Sequence, residues 1–273
     1  MIALHTTRSN DRGVSEAIGF MLIFGIVIAG IGLVTLYGYP LLLQQQVSAD
    51  EKIMEKNMIV LQNDIKSLAY KTVPFKETSL KIGGGALTVY NSSDTSPSSS
   101  IKITNGTGTV FLNSFSPGEL RYESASAQTD ISVQNGAVVL RPRVQKGSTM
   151  IAEPRWFYDA QTNTMVINLI NITSNHIMAK EGIGTVQMAL VGVPEYTSYQ
   201  EGNNTFLYLK YTPNSVQDYS VAWNNYFINT LGMTKTSAAT PGTGVPLDYL
   251  LPTDTTRPVT LIIKKFEVEI KSI

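Results

Sequence analysis

From Ala17 to Leu43 the chain runs for 27 residues without a charged side chain. As a helix this stretch is about 40 Å long. That exceeds the roughly 30 Å of a bilayer's hydrocarbon core, so it spans with some tilt. A secretory signal has an apolar stretch of only about 7–15 residues and a small-residue cleavage site after it. Here Tyr37-Gly38-Tyr39-Pro40 and then Gln44-Gln45-Gln46 follow instead. The apolar helix is therefore expected to stay in the mature protein. Arg8 and Arg12 precede it, whereas Lys52 and Lys56 beyond it are interleaved with Asp50, Glu51 and Glu55. This bias predicts a cytoplasmic N-terminus and an external C-terminal region.

The remaining composition excludes several function classes. Lys and Arg number 21 and Asp and Glu 21, so the formal charge is zero. A nucleic-acid partner is not expected of such a balance. There are no cysteines, so disulfides and thiolate metal sites do not arise. His5 and His176 are the two histidines, little material for acid–base chemistry near neutral pH. No nucleophile elbow, phosphate-binding glycine loop, zinc-protease motif or calcium loop occurs in the sequence. The expectation is a non-enzymatic protein with no catalytic residues, no metal and no cofactor.

Beyond Pro40, which is expected to kink the helix, the pattern turns amphipathic. Val47, Met54, Met58, Leu61, Ile65 and Leu68 step by seven, four and three, with charges off that seam. The helix is predicted to continue to about Lys71 and stop ahead of Pro74. Short β-type runs follow: Ala86–Tyr90, Gly108–Leu112, Ala137–Leu140, Thr164–Ile170, Thr205–Tyr211 and Pro258–Lys264. Their spacing predicts an antiparallel sandwich or barrel, with Gly83-Gly84-Gly85 and Ser92–Ser100 as loops. The fold class is α+β, a long N-terminal helix and then a mainly antiparallel β domain. Residues 14–43 form the span, 44–72 its amphipathic extension and 79–273 the β domain, in one piece or split near 175–200. A later helix is expected after the caps Asn214 or Ser215, with Val216, Tyr219, Trp223, Phe227 and Leu231 as its stripe. Such a stripe is either a binding face or core. Thr236–Val245 reads as a loop.

The stretch Arg12-Gly13-Val14-Ser15-Glu16-Ala17-Ile18-Gly19 resembles the class III signal of archaeal type IV pilins. The resemblance implies a prepilin-type signal peptidase as partner, cutting between Gly13 and Val14 after the basic–small pair Arg12-Gly13. Residues 1–13 would then be a leader, and its loss leaves 19 basic against 20 acidic residues. A glycine at the cut leaves the extended backbone unobstructed. An uncleaved signal anchor has a similar composition, so both readings stand. Glu16 is the one acid at the start of the span. It either contacts a neighbouring pilin-like subunit during assembly or sits in the headgroup layer. Gly25 and Ala29, four apart, permit close helix packing, although glycine is also ordinarily frequent in membrane helices. Looser similarity to archaeal pilin-like surface proteins of unassigned activity is carried by Gly85–Val89, Gly118–Glu123, Asn135–Val139 and Glu153–Tyr158. It implies the same helix-plus-β organisation.

Asn91, Asn105, Asn171 and Asn203 each begin an Asn-x-Ser/Thr triplet and are candidate glycan acceptors on an external domain. Two functions fit these features. One is a pilin-like subunit, in the lipid bilayer until assembly with other pilin-like subunits. The other is an anchored, non-polymerising surface protein that binds or adheres through its β domain.

Overall fold

The computed structural model describes residues 11–71, 73–94 and 98–273, with the side chains of 11–15 outside the description. Two compact units divide the chain, Met1–Ala49 and Asp50–Ile273.

In the first unit the apolar sequence forms α1 (Asp11–Leu33), then a π-helical turn (Val34–Gly38), then the beginning of α2 (Tyr39–Lys71). One helix, Glu16–Lys71, is long and apolar enough to cross a membrane. The π turn is the chain's answer to Pro40. Proline has no N–H to give the carbonyl four residues back, and its ring clashes with that carbonyl. Just ahead of it, Tyr39 donates instead to Val34, five residues back. The widened turn lies where the sequence predicts a kink.

In the second unit α2 turns one face inward. Met54, Met58, Leu61, Ile65 and Leu68 are fully buried, and the predicted seam from Met54 on is thus the domain's own core, whereas Val47, in the first unit, is only half-buried. Each such side chain stabilises the fold by about 1.5–3 kcal/mol. They pack on a sheet of nine strands: β1 (Phe75–Tyr90), β4 (Glu119–Ser124), β5 (Thr129–Gln134), β6 (Ala137–Pro142), β7 (Thr149–Ala152), β8 (Phe157–Asp159), β9 (Thr164–Thr173), β10 (Met178–Glu201) and β14 (Val259–Ser272). Their spatial order is β7-β6-β5-β4-β1-β10-β14-β9-β8. All neighbours are antiparallel save β9 and β14, which run parallel.

Side chains alternate across these strands, so each has two inner faces. Ile170, Ile172, Val268 and Ile270 meet α2. Met165, Ile167, Leu169, Leu261 and Ile263 point the other way, into a second core. That core is closed by a five-stranded sheet of β2 (Ser100–Asn105), β3 (Val110–Phe115), β11 (Leu207–Thr212), β12 (Thr234–Lys235) and β13 (Leu247–Leu250), in the order β12-β13-β11-β2-β3. The β domain is thus two sheets with a helix packed on the outer face of the larger one.

Three expectations are corrected. Gly83-Gly84-Gly85 is not a loop but a bulge inside β1, where the register to β10 slips between Ile82 and Ala86. The glycines are needed there. Gly84 has φ +64°, a Cβ on Gly83 would lie 2.6 Å from the Asp50 carboxylate, and one on Gly85 2.2 Å from the Glu123 carbonyl. A split near 175–200 is absent among the described residues, because β10 runs through that interval as one strand, paired with β1 and with β14. The later helix, α3 (Ser220–Asn225), begins after the predicted caps and continues as a π turn, Tyr226–Thr230. Asn214 Oδ1 accepts the N–H groups of Val216 and Gln217, and Asp218 Oδ1 that of Ser220. These side-chain turns hold the chain out of helix, and Val216 is left exposed.

Tyr219, Trp223, Phe227 and Leu231 are buried, so the stripe is core rather than a binding face. Trp223 and Phe227 pack tilted with centroids 5.5 Å apart, and Phe227 meets Tyr249 edge-on at 5.0 Å. Burial raises the phenol pKa values of Tyr211, Tyr219, Tyr226 and Tyr249, and pushes Tyr70 up to about 12. An unfolded tyrosine ionises near 10, so the fold keeps its protons longer than the unfolded chain does. The stabilisation is complete below pH ~10 and drains away as pH rises towards 12. Tyr70 alone accounts for about 2–3 kcal/mol of that loss. Denaturant titrations at pH 8, 10 and 11.5 should show this steep alkaline decline; a flat profile to pH 11.5 would contradict the burial.

Candidate functional site

In the first unit the sequence-predicted residues lie open. Glu16, Gly25 and Ala29 are exposed, and the space a Cβ would occupy at Gly25 meets no atom within 4 Å. From Ile18 to Leu43 the large apolar side chains are more than two-fifths exposed throughout. The leader residues 1–10, and the side chains of Arg12, Gly13 and Val14, lie outside the described residues.

The four glycan candidates separate sharply. Asn105 is buried. Its Oδ1 accepts from the N–H groups of Thr107 and Thr109, and its Nδ2 donates to Glu201. Asn105 is the last residue of β2. Asn91 uses both ends of its amide to hold Ser174, at 3.1 and 2.7 Å. Asn171 lies within β9 and accepts the Gly118 N–H. Asn203 sits in the exposed turn between β10 and β11. Glycan transfer needs access to the amide, and Asn203 alone of the four is exposed, so Asn203→Gln is expected to abolish any N-glycan mass on the purified native protein. Asn105→Gln should leave the glycan in place and lower stability by about 1–3 kcal/mol, through the lost turn contacts. Intact-mass spectrometry of both variants decides between them.

The structure also brings together residues that sequence reading did not connect. The carboxy-terminal end of α2, the β7–β8 connection and the β10–β14 ladder border a cavity of about 620 Å³, lined by Tyr70, Arg155, Phe157, Tyr196, Lys264 and Phe266 among others. Arg155 lies over the Tyr70 ring at 5.2 Å, and Lys264 over Tyr196 at 5.6 Å. A second cavity of about 510 Å³ shares Tyr70 and Arg155 and adds Lys66 and Lys71. Burial, then the charge of Arg155, pulls the Lys66 pKa down. Its Nζ donates to the Glu153 carbonyl at 2.8 Å. The sole visible signal was the Glu153–Tyr158 motif. Tyr70 and Lys264 are 194 positions apart, and no spacing rule joins them.

Elsewhere, β4 and β5 carry a buried polar patch. Arg121 bonds Glu119 and reaches Glu123 at 3.1 Å. Ser132 donates to Glu119 at 2.5 Å, and Arg141 and Arg143 flank the buried Asp130. Burial pushes the Asp130 carboxyl up, and Arg143 pulls it back. Among the described residues no three acidic or histidine side chains converge in a way that could hold a metal.

A membrane-length apolar helix that continues into the core of a two-sheet domain defines an α+β protein with, among the described residues, a single candidate span. Residues 12–269 match the family of unknown function DUF7289, and the chain belongs to that family. No curated protein and no solved structure matches it.

Proposed function

We propose that the chain is a pilin-like cell-surface protein, held in the membrane by a retained N-terminal helix and placing its β domain outside. In this reading it assembles into, or associates with, a type IV pilus-like filament. The observation that carries it is the contrast along one helix. None of the most apolar window, of mean hydropathy 2.7, is buried within the chain, whereas the same helix from Met54 onward is domain core. Such a surface needs lipid or the equivalent helices of neighbouring copies. Either environment accepts a helix because its backbone bonds are satisfied internally. Gly25 and Ala29 allow close approach in the second case. Processing between Gly13 and Val14 is part of the proposal.

Purified native protein should give an intact mass beginning at Val14, and Gly13→Leu should leave the leader attached in essentially all molecules. A native mass that retains Met1 or Ile2 defeats the pilin reading. Shearing of cells should release the mature chain into a filament fraction. Full retention in membranes instead supports an anchored, non-polymerising binding protein. The cavity around Tyr70 and Arg155 favours that second reading, because filament packing by helices has no need of it.

A further inference from the structure

The two cavities that share Tyr70 and Arg155 collect positive charge that no salt bridge neutralises. Lys66, Lys71, Arg155 and Lys264 border them. Among the described residues none of the four has a carboxylate within salt-bridge distance. Glu195, the one acid lining the larger cavity, is paired with Lys265 at 3.2 Å. In a chain with 21 basic and 21 acidic residues, four cations without a salt bridge in adjoining hollows are a local asymmetry. Burial and then the charge of Arg155 lower the Lys66 pKa, and Glu153 offsets them in part.

The walls are as informative as the charge. Tyr196 and Phe157 are 60% and 48% exposed, large aromatic surfaces left at the mouth of the larger cavity. Its volume, about 620 Å³, is in the range of pockets that hold small ligands. Aromatic walls accept the C–H face of a pyranose ring, and guanidinium and ammonium groups bind carboxylates. A nucleic acid fits less well. It normally calls for a basic excess over a whole face, whereas this chain is neutral overall. A sugar acid presents one carboxylate per ring beside an apolar ring face.

We infer that the adjoining cavities around Tyr70 bind an acidic saccharide, its ring against Tyr196 and Phe157 and its carboxylates against Arg155 and Lys264. The choice of an extracellular saccharide as the source rests on the outward placement proposed above; the binding chemistry does not.

The test uses the full chain in nanodiscs of zwitterionic lipid, titrated calorimetrically with a galacturonate hexamer, a maltose-series hexamer and a hexathymidylate. The acidic hexamer should bind, the neutral one at least about tenfold more weakly, and the hexathymidylate more weakly than the acidic sugar. Arg155→Gln and Lys264→Gln should each cost about tenfold, in line with the truncation of one partner of a charge-assisted contact. Lys146→Gln, a cation bordering a different cavity, should cost nothing. Lys264→Gln serves as the second variant because the Arg155 guanidinium also lies over the Tyr70 ring, so its loss disturbs that wall. Equal binding of neutral and acidic hexamers overturns the inference, as does no binding by protein whose circular dichroism is native. Tighter binding of hexathymidylate replaces the saccharide by a nucleic acid. Protease protection of the β domain in intact cells would overturn the outward placement while leaving a positive titration standing.

Discussion

Replacing Arg121 with methionine is expected to destabilise the β domain by about 3–5 kcal/mol. The guanidinium is almost wholly buried, and so is its partner Glu119. Burial alone would pull the Arg121 pKa down, but Glu119 and the other partners hold it well above its ordinary value. Its face also lies over Tyr90 at 4.4 Å. Without the arginine, Glu119 keeps only the Ser132 hydroxyl and remains a buried charge without a counterion. Glu123 is 38% exposed at its side chain and can turn to water, so its loss is small. The double variant Arg121→Met with Glu119→Leu should recover much of the stability, because no unpaired charge is then left inside. Denaturant unfolding followed by the emission of Trp156 and Trp223 reads both. A cost under about 1 kcal/mol for the single variant would place the pair with ordinary surface ion pairs.

A second large effect is expected at Gly118. A Cβ there would lie 1.8 Å from the Ile172 carbonyl oxygen and 2.8 Å from that of Tyr90. Both are backbone atoms of paired strands, so no side chain can swing aside. The Gly118 N–H also donates to Asn171 Oδ1 at 3.1 Å. Gly118→Ala must push β1 and β9 away from this turn, and a loss beyond about 4 kcal/mol is expected, above the usual range for single substitutions. The melting temperature of the domain should fall by roughly 10 °C. Gly25→Ala is the control. Its added methyl meets nothing in the chain, so the domain's melting temperature should not move. A Gly118→Ala protein that melts like the parent would mean that the strands do not approach as closely as described.

The span and the seam of α2 were legible because both are local. An uncharged run and a step of three, four and seven are properties of neighbours along the chain. The α+β class followed from the same arithmetic, since strands at short spacing after one long helix leave few architectures. The triple glycine was legible as glycine but not as a bulge. Its cause is the approach of Asp50 and of β4, which are 33 and about 40 positions away. The motif Gly118–Glu123 likewise stood out, yet its reason is tertiary: Gly118 is hemmed in by β1 and β9, and Glu119 and Arg121 need the cover of β5 to be buried.

By itself, the order of residues decided that this protein has one membrane-length helix, an amphipathic continuation and a β-rich remainder, because each is a periodicity or a composition within one segment. Tertiary structure alone decided which asparagine is exposed, since Asn91 and Asn171 are half-covered beside Ser174 and Gly118 and Asn105 is buried. It alone decided that Tyr70, Arg155, Tyr196 and Lys264 share a wall. Their meeting depends on strand order and register, and a two-residue slip along a ladder would separate them without changing any local pattern.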